Sequence, residues 1–206
     1  NVVSTHELLV QIVCELAKLE HIKLSDFIFS TLQLENISLE HKKNLDKFKA
    51  ENANLKGAKF NDSEFTNPLF CWSNLSFAFF NDATLIGADF EGAILSNVEF
   101  KNAKLTEAKF NSPKDMKHAN LEGAEITDST FSNANLYHAK LNKAKLSNVT
   151  LSDIKIKDAN LSNVFASSVT FKNVNLTKVV MKEIIFQNCF LENVTFCDCD
   201  LTLASM

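Results

Sequence analysis

His118 and His138 stand 20 residues apart, with Asp158 a further 20 along, and two imidazoles beside a carboxylate are a donor set for a divalent metal such as zinc. Near the end of the chain Cys189, Cys197 and Cys199 offer thiols to a metal or to redox exchange. Both chemistries depend on what brings these positions together. A structure repeating every 20 residues would stack His118, His138 and Asp158 on one edge, but Lys178 continues that column, as it would on a plain solvated edge. Cys189 and Cys199 fall where a small inward residue is expected and read as core filler, leaving Cys197 alone to face outward. The sequence has no nucleophile elbow, phosphate-binding glycine loop or HExxH pair, so the expectation is a chain without catalytic residues, cofactor or metal.

What positions these residues is a period of five. From Ala53 the chain reads ANLKG AKFND SEFTN PLFCW SNLSF AFFND ATLIG ADFEG AILSN VEFKN AKLTE AKFNS, with Leu or Phe in the third place and a small residue in the first. No single helix or strand has that period, so each block is one side of a larger coil stacked on copies of itself. From Phe70 to Phe110 the third places alternate Phe and Leu, which four blocks per coil would sort into two Phe columns facing each other across two Leu columns. About nine coils at the strand spacing of about 4.8 Å would make a rod on the order of 45 Å long. First and third places point inward, and the other three face solvent.

Blocks such as ANLKG, ADFEG, ANLEG, ANLYH and ANLSN resemble the pentapeptide-repeat family, whose pattern is A(D/N)Lxx, and the likeness extends over nearly all of residues 22–206. It implies an all-β solenoid: a right-handed quadrilateral parallel β-helix. Val164, Val169, Val174, Val179, Ile184 and Val194 replace the small Ala of the pattern and imply wider late coils. Some secreted bacterial effectors carry such a rod beside a catalytic domain. Other members of the family protect a type II topoisomerase by imitating DNA with a continuous acidic surface.

The first 21 residues differ. Ser4 and Glu7 form an S-x-x-E capping box, and Leu8, Leu9, Ile12, Val13, Leu16 and Leu19 recur at helical spacing, which predicts an amphipathic helix over 5–20 that caps the open end of the stack. Residues 22–206 make the β-helix, with an irregular loop expected near 40–50 and a one-residue slip near 111–116, where Pro113 sits. An apolar share of 46% fits a folded domain. With only four Gly and two Pro, the turns must be made by ordinary residues such as Asn, Asp, Ser and Lys. The start at Asn1 and the in-register end at Met206 suggest part of a longer bacterial protein. Five Cys without framework spacing suit a reducing compartment, the bacterial cytoplasm or, for a secreted effector, the host cytosol. No apolar run is long enough to span a membrane.

The 21 basic residues are all Lys, and the net charge is −4, which makes nucleic acid a poor partner. Charge is zoned: the middle of the chain is acidic and residues 140–182 are rich in Lys, unlike a continuous DNA mimic. The outward places are mostly polar. The exceptions point to a protein partner: Leu69, Trp72, Phe77 and Phe79 fall in one coil, with Ile86 and Ile94 beside it, unless the N-terminal helix or the 40–50 segment covers them. A second outward set, Val180, Ile185, Phe190 and Leu203, predicts packing of the last coils on a following domain or a second copy. Phe165 is outward by register, although Ala166 beside it leaves room for it to turn in. The leading expectation is a non-catalytic protein-interaction scaffold, and the alternative is a DNA-mimic inhibitor of a topoisomerase.

Overall fold

The computed structural model describes residues 4–19, 22–43 and 45–205. Ends of the expected helix and of the repeat, at residues 1–3, 20, 21 and 206, lie outside the described residues. From Leu24 onward the chain winds as a parallel β-solenoid whose successive coils pair at a spacing of 20 residues, as in Glu64↔Thr84 and Lys145↔Phe165. The longest sheet stacks eight strands, from Leu45–Asp46 to Ile185–Gln187. Ahead of these lies a first coil through Leu24 and Leu39, tied to the second by single bridges such as Ile28↔Lys49 and Ser38↔Lys59. A sheet of five strands runs from Lys109–Asn111 to Phe190–Glu192, and Asn175–Thr177 pairs with Thr195–Cys197.

Each coil has four sides. The first carries Phe65 and Leu85, the second Phe70 and Phe90, the third Leu75 and Leu95, and the fourth Phe80 and Phe100, all fully buried. Rings on the second side stack nearly parallel, Phe70 on Phe90 at 5.4 Å and Phe90 on Phe110 at 4.8 Å. Those on the fourth side do the same, Phe80 on Phe100 at 5.1 Å. The two columns meet edge to face across the core, Phe80 to Phe90 at 6.1 Å and 86°. Small first-place residues such as Ala78, Ala88 and Ala103 leave the room these rings occupy. Ser73 also takes that place, fully buried, and its hydroxyl donates to the Phe70 carbonyl at 2.6 Å.

The fifth residue of each block turns the corner in the left-handed region, for example Asn52 at φ 57°, Asp82 at 58°, His118 at 58° and Lys143 at 63°. Asn, Asp and Gly tolerate that conformation best, which is why so few Gly suffice.

In the stretch expected to be an irregular loop, residues 40–43 and 45–50 follow the coil, and residue 44 lies outside the described residues. The pairing offset falls from 21 at Ser38↔Lys59 to 20 at Leu45↔Phe65, so one extra residue is absorbed and the coil continues. Size order is inverted there: Phe48 fills the small place and Ala50 the large one, both fully buried, and the Phe48 ring sits between Phe29 at 4.8 Å and Phe70 at 5.8 Å. The second slip lies between Asn111 and Asp115, where the offset becomes 21. Pro113 takes the buried first place, whose N–H elsewhere makes only the short corner bond, as in Ala83 N–H to the Phe80 carbonyl. The inter-coil ladder therefore resumes at once, with Lys114 N–H donating to the Ala93 carbonyl at 2.9 Å.

Helix α1 spans Thr5–Ala17 and opens with the full capping box, Ser4 Oγ accepting from Glu7 N–H and the Glu7 carboxylate from Ser4 N–H. That second bond holds the Glu7 carboxyl below its usual range. The helix lies across the first coil: Val13 and Ala17 are buried, His6 Nδ1 meets the Gln33 carbonyl at 3.0 Å, and Cys14 Sγ donates to the Ser38 carbonyl. Its inward stripe is Leu9, Val13 and Ala17, whereas Leu8, Ile12 and Leu19 face outward.

Candidate interaction surface

The weak metal candidates His118, His138 and Asp158 do come together in one column, but without the geometry for a metal. His118 and His138 occupy successive corners with rings stacked at 5.0 Å and 10°, so their nitrogens lie in parallel planes instead of aiming at one point. Asp158, at the next corner, has Lys157 Nζ at 4.0 Å. Among the described residues no group of three His, Cys, Asp or Glu is placed to hold a metal ion. All five cysteines are free thiols. Cys189 and Cys199 sit at inward places and donate to the Ala166 and Leu176 carbonyls, and Cys197 is exposed. The Cys71 thiol is pushed up to about 12, first by burial and then by Asp89, which keeps it protonated and unreactive near neutral pH.

The outward apolar residues wrap around the rod and do not share one side. Trp72 and Phe77 take the two corners bounding the third side, at φ 60° and 61°, and are 49% and 50% exposed. Ile94, half-buried, lies on that side in the next coil, paired with Asn74. Leu69 and Phe79 lie just round these corners on the second and fourth sides, each half-buried, and Ile86 is exposed on the first side. No described part of the chain covers this coil: α1 reaches only the first coil, and residues 45–60 are the coil stacked directly above.

Two neighbours of Trp72 are not evident from a search for apolar residues. Gly92, the corner one coil on, lies against the indole so closely that a Cβ there would stand 2.4 to 2.6 Å from three ring carbons. Lys114, the outward residue at the second slip, places Nζ 5.7 Å from the indole centroid. A Gly spaced one coil from a Trp is the signal that marks the first. The slip hides the second.

At the far end Val180, Ile185, Phe190 and Leu203 are all exposed, Leu203 at 78%. Phe165 also points outward, at 40% exposure, stacked above Ile185 in the sheet, because Val164 fills the inward place beside Ala166. In the last coil the third-place residue Leu191 is 39% exposed, and Phe196 and Leu201 are only partly buried. None of the described helices is long and apolar enough to cross a membrane.

The family described as pentapeptide repeats matches the chain in 8 copies, over residues 70–111 and 115–153. No curated protein matches it significantly. Among solved structures the chain is similar to HetL, a pentapeptide repeat protein involved in heterocyst differentiation regulation from the cyanobacterium Nostoc sp., with 19% identity over 98% of this chain and 97% of that one and a TM-score of 0.40. It is also similar to full-length QnrB1, a plasmid-mediated fluoroquinolone resistance protein, with 18% identity over 81% and 92% of the two chains and a TM-score of 0.38. A pentapeptide repeat protein of the Arabidopsis thaliana thylakoid lumen is 27% identical over 48% of this chain and 65% of that one, with a TM-score of 0.24. Residues 70–111 and 115–153 thus carry pentapeptide repeats, and the five-residue period and the four-sided coil continue on both sides of them.

Proposed function

We propose that this rod is a non-catalytic protein-interaction module, a part of a larger bacterial protein of effector type, that presents the coil of Trp72 and Phe77 to a partner protein. The observation that carries this reading is the pair of half-exposed aromatic residues at left-handed corners, where the described rod, apart from Leu203 in its last coil, places polar residues or Gly. Large side chains there cost backbone energy and gain nothing in the core, and Trp is among the residues enriched in the hot spots of protein interfaces. The exposed apolar residues of the last coil form a second surface, against a following domain or a second copy. Imitation of DNA fits less well, because Lys140, Lys143, Lys155 and Lys157 interrupt the negative charge along the rod.

The test is affinity capture from cell extract by the immobilised chain and by a Trp72→Ala, Phe77→Ala double variant with an unchanged circular dichroism spectrum. The expected result is a captured protein that the double variant loses at least tenfold, the scale of one or two hot-spot side chains. Equal capture by both forms overturns the reading.

A further inference from the structure

Between Lys59 and Lys101 the sequence has no Lys, Arg or His, yet it carries Asp62, Glu64, Asp82, Asp89, Glu91 and Glu99. Asp62 closes the coil above, and the others belong to the aromatic coil and the one below it. Asp62 and Glu64 are met by His41 at 3.3 Å and Lys43 at 2.7 Å. Among the described residues the other four have no ion-pair partner.

The register sets the two kinds of side chain in rows. Leu69 pairs directly above Asp89, and Phe79 directly above Glu99. Running round the second, third and fourth sides, the apolar row of Leu69, Trp72, Phe77 and Phe79 thus lies one strand spacing, about 4.8 Å, above a row that holds Asp89, Glu91 and Glu99, with Gly92 and Asn97 at the corners below Trp72 and Phe77. Lys109, paired below Asp89, is the nearest cation on the second side and does not reach ion-pair distance. Lys114 reaches the Trp72 ring instead, from the slip at which the chain departs from its own repeat.

We propose that this double row docks a cationic amphipathic segment of the partner protein, its apolar side chains against Trp72 and Phe77 and its Lys or Arg side chains against Asp89 and Glu91, with Lys114 covering the Trp72 ring in the free protein. The proposal rests on the reading of the aromatic coil as a partner surface. The chemistry selects the occupant: unpaired carboxylates repel nucleic acid and anionic lipid, whereas an aromatic row beside them favours a peptide that is both apolar and basic.

Trp72 is the chain's one Trp, so its emission reports on the site directly. The probe is a short peptide alternating Leu and Arg, free of Trp, with counterparts in which Glu or Gln replaces Arg. The Arg peptide should shift the Trp72 emission to the blue, and the Glu peptide should not. Asp89→Asn with Glu91→Gln should weaken binding about tenfold, and Lys114→Ala should strengthen it severalfold. Glu183→Gln, an exposed carboxylate several coils away, should leave it unchanged. The proposal is overturned if the Arg peptide produces no shift, if the Glu or Gln peptide binds as well, or if Glu183→Gln weakens binding as much as the double variant. Failure to displace a partner captured through Trp72 and Phe77 also overturns it, and leaves the surface itself standing. Capture indifferent to Trp72 and Phe77 removes the surface, whatever the peptide does.

Discussion

Trp72 and Phe77 hold φ near +60°, a conformation that costs an L residue about 1–2 kcal/mol relative to Gly. At Trp72 part of that cost is offset by burying one face of the indole on Gly92. Gly92 itself has φ 65°, so it serves both the corner and the ring above it. Gly92→Ala should therefore destabilise the chain by about 1–3 kcal/mol and expel the indole from its seat. Chemical denaturation measures the first effect, and a red shift of Trp72 emission the second. The exposure of Trp72 and Phe77 was legible in the sequence, because any residue outside the first and third places points outward. That His118 and His138 are neighbours was legible too. Their parallel stacking was not, since it follows from the shared left-handed corner and not from the residue types.

Among the elements, the two Phe columns do most to fix the coil's cross-section. Phe90 touches Phe70 and Phe110 in its own column and Phe80 and Phe100 across the core. Replacing it by Ala in a fully packed core should cost about 3–5 kcal/mol, with the loss read as a lower denaturation midpoint. The four-sided coil could be read in advance because Phe and Leu alternate. The 40–50 segment could not, because Phe48 and Ala50 exchange the large and small places, and a frame keyed to large third-place residues loses the chain there. The helix shows a related ambiguity. Its apolar residues lie on two stripes, and periodicity alone does not say whether Leu9, Val13 and Ala17 or Leu8, Ile12 and Leu19 meet the coil. The first set wins because it descends onto Gln33 and Ser38, where His6 and Cys14 make their hydrogen bonds.

At the scale of the molecule each coil bonds only to the coils above and below, so stability is distributed along one dimension. Among the described residues the last coil has a neighbour on one side alone: Leu191 and Phe196 pair upward with Phe171 and Leu176. Their amides should exchange with deuterium orders of magnitude faster than that of Phe131, which lies between Phe110 and Leu151. Protection of Leu191 and Phe196 that rises with protein concentration identifies a second copy as the occupant of that end. Protection independent of concentration in the isolated chain contradicts a second copy.

The uniform pairing makes the exterior a grid, with an address for each side chain given by side and coil. A surface motif such as Trp72 over Gly92 can be moved four coils along the rod, to Asp153 over Asn173, without altering the core beneath it. The slip between Asn111 and Asp115 shifts the grid by one residue, so a move across it spans 81 residues, about four coils of 20 plus one. A one-residue irregularity in the chain thus becomes a phase boundary for anyone transplanting sites along it.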